Sequence, residues 1–185
     1  MAQQTQIREL PLIWMRKFLT PLVLLDIDKD GVMGYEDHMQ MAESIIKAGN
    51  LTGEARDGIY KIYKHYCESG TSQDIANSSS LANQLLTIWK ERDNPETVGK
   101  LFEMFSRSCE VLCLDSSGFM TFDNYMIFWN ALGIDKRFAR MQFDYIDTNG
   151  DGLISREEFA KAFIDYMLNI DENTSNRFFG PLINY

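Results

Sequence analysis

Apolar side chains recur every three to four positions through most of the chain, which is the spacing of one face of an α-helix. The first such segment, LPLIWMRKFLTPLVLL, contains Pro21 in its interior. Proline there removes a hydrogen bond and clashes with the carbonyl of Lys17, so a kink is expected. The apolar face of this first helix consists of Trp14, Phe18, Leu22 and Leu25.

Polar residues predict where the following helices begin. Thr52 is expected to cap the third helix, and Ser78 or Ser79 is expected to cap the helix SLANQLLTIWKER. Asn94, followed by Pro and Glu, combines a cap, a first-turn proline and an acidic first turn. Asp135 is expected to cap KRFARMQFDYI. The pattern therefore predicts a series of helices joined by short loops.

The first polar interruption is DIDKDGVMGYED, residues 26–37, which we call loop I. Close carboxylates repel one another by roughly 1 kcal/mol per pair, unless a cation lies between them. Calcium loops supply oxygen ligands from positions 1, 3, 5, 7, 9 and 12, with Gly at position 6. A solvated acidic turn is the alternative, but Gly31 falls in register. The predicted ligands are Asp26, Asp28, Asp30, the carbonyl of Val32, and Asp37, with water at position 9, where Gly34 has no side chain.

A second stretch, DTNGDGLISREE at residues 147–158, matches the full calcium-loop motif, and we call it loop IV. Ile154 lies at position 8, where paired loops meet in a short β-bridge, and Ser155 is expected to hold a water. The predicted ligands are Asp147, Asn149, Asp151, the carbonyl of Leu153, and Glu158, which closes the site with both oxygens.

The two loops differ at position 12, where Asp37 is one methylene shorter than Glu158. The shorter side chain reaches an ion with one oxygen more readily than with two. That favours six-coordination, which magnesium demands and calcium tolerates. Loop I is therefore predicted to accept magnesium as well as calcium, and loop IV to be the calcium site.

Two degenerate loops lie between them. CLDSSGFMTFDN, residues 113–124 or loop III, begins with Cys113 and ends with Asn124, leaving Asp115 as the one charged ligand in the usual places. Cysteine is a poor ligand for a hard cation. The region ESGTSQDIANSSS, residues 68–80 or loop II, has no acidic residue at both ends in any register. Both loops are predicted to be empty and to serve as structural partners, Met120 meeting Ile154 and the Ile75 region meeting Met33.

The predicted fold is all-α, with four helix–loop–helix units in two closely packed pairs and short β-bridges between paired loops. The first pair occupies residues 1–93, with loop I active and loop II degenerate. The second occupies residues 94–185, with loop III degenerate, loop IV active and a C-terminal tail packed on the core. The short linker ERDNP between the pairs argues against two separated lobes.

Composition narrows the function classes. The chain has 185 residues, 45% of them apolar, which is ample for a packed core, and its net charge of −9 argues against a nucleic-acid partner. No signal sequence or membrane-spanning run is recognised, and the three cysteines make a disulfide framework improbable. We expect a cytoplasmic monomer. Cys109 and Cys113 are spaced to meet on one helix turn, where core packing is the expected role.

The whole chain resembles the invertebrate sarcoplasmic calcium-binding proteins, which are compact four-EF-hand proteins of the calmodulin superfamily. The resemblance is carried by LIWMRKFLTPLVLLDIDKDG, by ALGIDKRFARMQFDYIDTNGDGLISREEF and by the tail NRFFGPLI. It is weaker over about residues 50–125. The third loop binds an ion in many members, whereas Cys113 and Asn124 predict that it does not here. The resemblance implies a cytosolic calcium and magnesium buffer, with two ions bound in this chain.

Two alternative functions remain open. One is a calcium sensor that exposes a groove to a partner helix, for which the ten methionines could provide a surface. The other is a calcium-regulated carrier of a small apolar ligand, similar to the coelenterazine-binding proteins. No nucleophile and base set indicates an enzyme, and His38 is expected to be a packing or surface residue. The candidate lining of a ligand cavity is Trp14, Tyr63, Trp89, Phe105 and Trp129.

Overall fold

The computed structural model of the chain describes residues 6–27, 29–31, 33–68, 77–113 and 117–184. These residues form eight α-helices, two single-turn 3-10 helices and one small antiparallel sheet. The α-helices are α1 (Leu12–Leu25), α2 (Tyr35–Gly49), α3 (Gly53–Cys67), α4 (Leu81–Glu91), α5 (Pro95–Leu112), α6 (Phe122–Ala131), α7 (Ala139–Ile146) and α8 (Arg156–Leu168). The strands are β1 (Phe119–Met120) and β2 (Ile154–Ser155), and the 3-10 turns are Ile7–Glu9 and Lys136–Phe138.

Most helices begin where the polar residues predict. Asn94 accepts a hydrogen bond from the amide of Glu96 at 3.0 Å, with Pro95 at the first helical position of α5. The prediction for α4 was wrong by one or two residues, because its cap is Ser80, whose hydroxyl accepts from the amide of Asn83 at 3.3 Å. Consecutive serines offer equivalent caps, so sequence alone does not choose among them.

Helix α1 continues through Pro21 to Leu25. Proline has no amide hydrogen to donate to the carbonyl of Lys17, four residues earlier. The hydroxyl of Tyr166 on α8 donates to that carbonyl instead, at 2.6 Å. The Lys17 carbonyl, which has no helical donor, thus accepts a tertiary hydrogen bond that joins the first and last helices.

Other contacts fasten α1 to the C-terminal segment. The ammonium group of Lys17 is fully buried and donates to the carbonyl of Asn169 at 2.7 Å. Arg16 Nε donates to the carbonyl of Ile183 at 2.9 Å, and the Ile183 amide donates to the Thr20 hydroxyl at 3.1 Å. Burial lowers the pKa of Lys17, and the nearby carboxylate of Asp165 partly opposes this effect.

One large apolar core joins α2 and α3 to α5 through α8 and to the tail. Aromatic rings dominate its C-terminal part, where Phe105 stacks on Phe163 with ring centroids 3.6 Å apart and Phe178 packs edge-on against both. A smaller cluster of Leu10, Trp14 and Leu85 joins α1 to α4. The predicted all-α fold of closely packed helix–loop–helix units is confirmed.

The β-bridge pairs loops III and IV. Phe119 lies opposite Ser155, and Met120 lies opposite Ile154, in antiparallel register. The predicted meeting of Met120 and Ile154 is confirmed, and both side chains are fully buried. The corresponding prediction for Ile75 and Met33 falls partly outside the described residues, as does most of loop II. In the described part of the chain, no helix has the length and apolarity needed to cross a bilayer.

Candidate metal centre

Loop I is closed by two buried carboxylates, Asp26 and Asp37, which are 8% and 2% exposed. The amide of Ile27 donates to Asp37 Oδ1 at 2.8 Å, and the amide of Gly34 donates to Oδ2 of the same side chain at 2.8 Å. The amide of Gly31 donates to Asp26 Oδ2 at 3.1 Å. These bonds bring the first and last predicted ligands of the loop together around its backbone.

The second oxygen of Asp26 has no such partner. Its Oδ1 atom is buried and lacks a hydrogen bond. A buried charged oxygen without compensation is costly, and a cation would remove that cost. The donor set therefore fits a hard cation. Asp30 is exposed at the loop surface, while the predicted ligands Asp28 and Val32 lie outside the described residues.

Loop IV repeats the hydrogen bonds of loop I at the same positions. The amide of Gly152 donates to Asp147 Oδ2 at 2.8 Å. The amide of Thr148 donates to Glu158 Oε1 at 3.0 Å, and the amide of Ser155 donates to Glu158 Oε2 at 2.9 Å. Position 6 is Gly31 in loop I and Gly152 in loop IV, with φ values of 82° and 81° that favour glycine.

Glu158 accepts two further bonds, from the hydroxyls of Thr148 and Ser155, both at 2.8 Å. Partial burial raises the pKa of Glu158, but the hydrogen bonds from Ser155 and Thr148 outweigh burial and hold the pKa below its usual value. Both oxygens of this closing carboxylate are thus held toward the loop.

The middle ligands of loop IV are held by local turns. Asn149 Oδ1 accepts from the amide of Asp151 at 2.9 Å, and Asp151 Oδ1 accepts from the amide of Leu153 at 2.9 Å. The middle ligands Asn149 and Asp151 are exposed, whereas the end carboxylates of loop I, Asp26 and Asp37, are buried. Within the described residues, no three His, Cys, Asp or Glu side chains converge closely enough to form a ready metal-binding group. The loop carboxylates are instead oriented by backbone amides.

Loop III shows what the degenerate pattern forms. At position 12, Asn124 Oδ1 accepts from the amide of Thr121 at 3.3 Å, so the amide contact survives without the charge. At position 1, the sulfur of Cys113 lies 3.9 Å from that of Cys109, and both side chains are buried. The predicted contact of the two cysteines is confirmed. Asp115 lies outside the described residues, so the vacancy of loop III stays a prediction.

Sequence reasoning missed the position of an apolar cavity of about 170 Å³ beside loop I, between α1, α2 and the C-terminal helices. Of the five residues expected to line such a cavity, Tyr63 does so and the others do not. Trp14, for example, donates to the carbonyl of Met167 at 3.1 Å, and Trp129 donates to that of Asp135 at 3.2 Å. The lining includes Leu25, Met33, His38, Met41, Gln84 and Phe163.

Two polar residues of the lining contact the backbone of loop I. His38 Nδ1 lies 2.7 Å from the carbonyl of Gly34, and burial lowers the pKa of the imidazole. A neutral ring with its proton on Nδ1 donates this bond. Gln84, 2% exposed on α4, accepts from the amide of Met33 at 3.5 Å. The one sequence signal for these contacts was the unusual histidine directly after position 12, which we interpreted as a packing or surface residue.

Comparisons with known proteins agree with this geometry. The family described as EF hand matches residues 140–164. The chain is 29% identical over 175 residues to a sarcoplasmic calcium-binding protein of Hediste diversicolor, covering 92% of this chain and 99% of that protein. It is 22% identical over 175 residues to a luciferin-binding protein of Renilla reniformis, with coverage of 91% and 94%.

Among solved structures, the calcium-loaded apo form of the coelenterazine-binding protein from Renilla muelleri matches with a TM-score of 0.70. The identity is 21%, and the match covers 91% of this chain and 96% of that one. Residues 140–164 thus match an EF hand, the whole chain shares the fold of that structure, and its resemblance to the sarcoplasmic calcium-binding proteins is confirmed.

Proposed function

We propose that this protein binds calcium through loops I and IV and acts as a cytosolic buffer of calcium and magnesium. The observation that carries the proposal is the repeated hydrogen-bond pattern, in which the position-1 and position-12 carboxylates of both loops accept from the same three backbone amides. Two loops of different sequence have thus adopted one arrangement. The similarity to sarcoplasmic calcium-binding proteins supports the same function.

The proposed ligands are oxygen atoms throughout. In loop I they are those of Asp26, Asp28, Asp30, Val32 and Asp37, and in loop IV those of Asp147, Asn149, Asp151, Leu153 and Glu158. Oxygen ligands select hard cations such as calcium and magnesium.

A buffer is favoured over a sensor because the first and last helices are fastened together. Sensor proteins open a helix pair on binding calcium, whereas buffers barely open. Here the buried Lys17 and the bond from Tyr166 join α1 to α8, and Arg16 joins α1 to the tail. Opening the N-terminal unit would break these contacts and expose a buried ammonium group. We infer that ion binding changes the shape of the molecule little.

Calorimetric titration with calcium, with and without magnesium, tests the proposal. We expect two calcium ions per chain, with millimolar magnesium weakening calcium binding at loop I more than at loop IV. Asp26→Asn and Asp147→Asn are matched position-1 variants, and each should lose one ion. A protein that takes up no calcium at millimolar concentration would contradict the proposal, as would a stoichiometry that neither variant changes.

The cavity beside loop I supports a second candidate function, that of a carrier of a small apolar ligand. Its walls are apolar and include residues from both halves of the chain, such as Met41 and Phe163. Native mass spectrometry and absorption of the protein purified from its natural source test this candidate. A bound small molecule would support it, and an unliganded protein that also fails to bind any apolar probe would contradict it.

A further inference from the structure

We propose that Asn149 of loop IV is a site of spontaneous covalent modification, which converts it to aspartate or isoaspartate, and that a cation in loop IV prevents the reaction. The inference rests on the proposed function, because the protection requires loop IV to bind the cation. It adds a modification site, and it makes the chemical lifetime of loop IV depend on how long the loop is empty.

The residue after Asn149 is the one that permits this reaction. Asparagine is thermolabile, because the main-chain nitrogen of the next residue can attack its side-chain amide carbon. A Cβ on that next residue hinders the attack, and glycine has none. Asn149 is the one asparagine of the sequence that precedes a glycine. Both Asn149 and Gly150 are exposed, so water reaches the reacting atoms.

The reaction consumes one water molecule and releases one ammonia. The nitrogen of Gly150 gives its proton to solvent and bonds to Cγ of Asn149. The bond from Cγ to Nδ2 then breaks, and the leaving nitrogen takes a proton from water to become ammonia. Water opens the resulting succinimide ring at either carbonyl. Opening at Cγ gives aspartate, and opening at the main-chain carbonyl gives isoaspartate, in which the main chain runs through Cγ.

Hydrogen bonds hold both reacting groups in the folded loop. The amide of Gly150 donates to Asp147 Oδ1 at 2.9 Å. Asn149 Oδ1 accepts from the amide of Asp151 at 2.9 Å, and Asn149 Nδ2 donates to Asp151 Oδ2 at 2.9 Å. The side-chain amide of Asn149 is thus fastened to Asp151 through both of its polar atoms. Ring closure therefore requires the loop to open locally.

A cation in loop IV would make this opening rarer. Asp147, Asn149 and Asp151 are the proposed ligands at positions 1, 3 and 5, so the ion would hold Asn149 together with both of its neighbours in the hydrogen-bond pattern. Without the ion, the carboxylates of Asp147, Asp151 and Glu158 repel one another, and the exposed loop opens more often. The empty loop is therefore the reactive form.

Loop I provides the matched control for the glycine. Position 4 is Lys29 in loop I and Gly150 in loop IV, with φ values of 61° and 72°. The same left-handed backbone thus accepts lysine in loop I, and a Cβ at Gly150 would meet no atom within 4 Å. We expect Gly150→Lys to leave the loop folded and to block the attack.

Peptide mapping of the full chain, after incubation with calcium or with excess chelator, tests the inference. The tryptic peptide 141–156 contains Asn149 as its one asparagine, and chromatography with mass spectrometry resolves its asparagine, aspartate and isoaspartate forms. We expect conversion at least about tenfold faster in chelator, because local opening becomes easier. Gly150→Lys should abolish it. Asn173, which is exposed and precedes threonine, is the internal control and should stay unconverted.

A position-12 pair separates local opening from general loosening, since chelator empties both loops. Glu158→Gln weakens the ion in loop IV, and Asp37→Asn weakens the ion in loop I. At a calcium concentration that fills the unmodified loops but not the altered one, conversion of Asn149 should rise about tenfold in Glu158→Gln. It should stay near that of the unmodified protein in Asp37→Asn. Helical circular dichroism checks that all variants are folded.

The modified loop should lose its ion. Isoaspartate adds one methylene to the main chain between positions 3 and 4, which moves the turn at Gly152 out of register with the ligands. After long incubation in chelator, calorimetric titration should show loss of the loop IV ion and retention of the loop I ion. Asn149→Asp keeps the main chain and should bind calcium at both loops.

The outcomes separate this inference from the proposed function. Absence of conversion in chelator, or equal conversion with and without calcium in a protein that binds two calcium ions, would overturn the inference and leave the buffer function standing. Conversion in Gly150→Lys as fast as in the unmodified protein would do the same. Failure of fresh protein to bind calcium at loop IV would overturn the proposed function itself, and titration before incubation detects that result.

Discussion

Loops I and IV hold their end carboxylates by the same three amide contacts, yet they lie in different surroundings. In loop I the end carboxylates are buried, and one oxygen of Asp26 has no partner. In loop IV, Asp147 and Glu158 are half-buried, and Glu158 accepts four hydrogen bonds. The same backbone contacts can therefore hold carboxylates whose burial and hydrogen bonding differ.

The described neighbours of the two loops also differ. Loop IV is joined to loop III by the β-bridge of Met120 and Ile154, so part of its shape is fixed by a strand partner. Loop I borders the apolar cavity through Met33 and His38. A loop braced by a strand keeps its shape more readily when the ion leaves. The partner predicted for Met33 of loop I, Ile75, lies outside the described residues. We expect loop I to depend more on its cation because its end carboxylates are buried and one oxygen of Asp26 has no hydrogen bond.

Removing both ions should have the largest effect. A ligand present at a thousand times its Kd stabilises the folded state by about 4 kcal/mol per site, so two sites contribute roughly 8 kcal/mol. For a chain of this size, each kcal/mol shifts Tm by about 2–4 °C. We expect excess chelator to lower Tm by roughly 15–30 °C in scanning calorimetry. An unchanged Tm would show that neither loop holds an ion that matters to the fold.

Removing one closing charge should have the next largest effect. Glu158→Gln and Asp37→Asn keep an oxygen for one of the two backbone amides that donate to each carboxylate, as Asn124 of loop III shows with its 3.3 Å bond from Thr121. Each removes one negative ligand, so we expect calcium affinity at that loop to fall about 100-fold, at the upper end of the losses caused by residues that merely orient metal ligands. Titration calorimetry measures the loss.

The same pair tests the difference between the loops. Because Asp37 is buried and Glu158 is half-buried, Asp37→Asn should lower Tm in calcium more than Glu158→Gln does. An Asn124→Ala control should leave both calcium affinities near their original values. Equal losses of Tm in the two variants would contradict the greater dependence of loop I on its cation.

Local patterns predicted the helices and the ion loops because the determinants of both are short-range. The apolar spacing of α1, the cap at Asn94 and the turn at Gly152 each depend on a few consecutive residues. The register of Met120 with Ile154 was predicted because position 8 has one role in every such loop.

Long-range contacts were not predictable in the same way. Nothing in the sequence near Lys17 indicates that its ammonium group bonds to Asn169, or that Tyr166 satisfies the carbonyl left by Pro21. The cavity was misplaced for the same reason. Aromatic residues such as Trp129 were expected to line it, but they fill the core, and the packing of distant helices decides where space remains.

Exchanging the position-12 residues should have the smallest effect, and it tests the ion preference of each loop directly. Asp37→Glu adds a methylene and lets the carboxylate reach an ion with two oxygens, which favours calcium over magnesium; Glu158→Asp does the reverse. We expect the ratio of calcium to magnesium affinity to rise about tenfold at loop I in the first variant and to fall by a similar factor at loop IV in the second, a difference of about 1.4 kcal/mol in each case. Competition titrations in both ions measure these ratios, with the unexchanged loop of each variant as the internal control. If the ratios do not move, then the burial and hydrogen bonding of the carboxylates, rather than the length of one side chain, determine which ion each loop prefers.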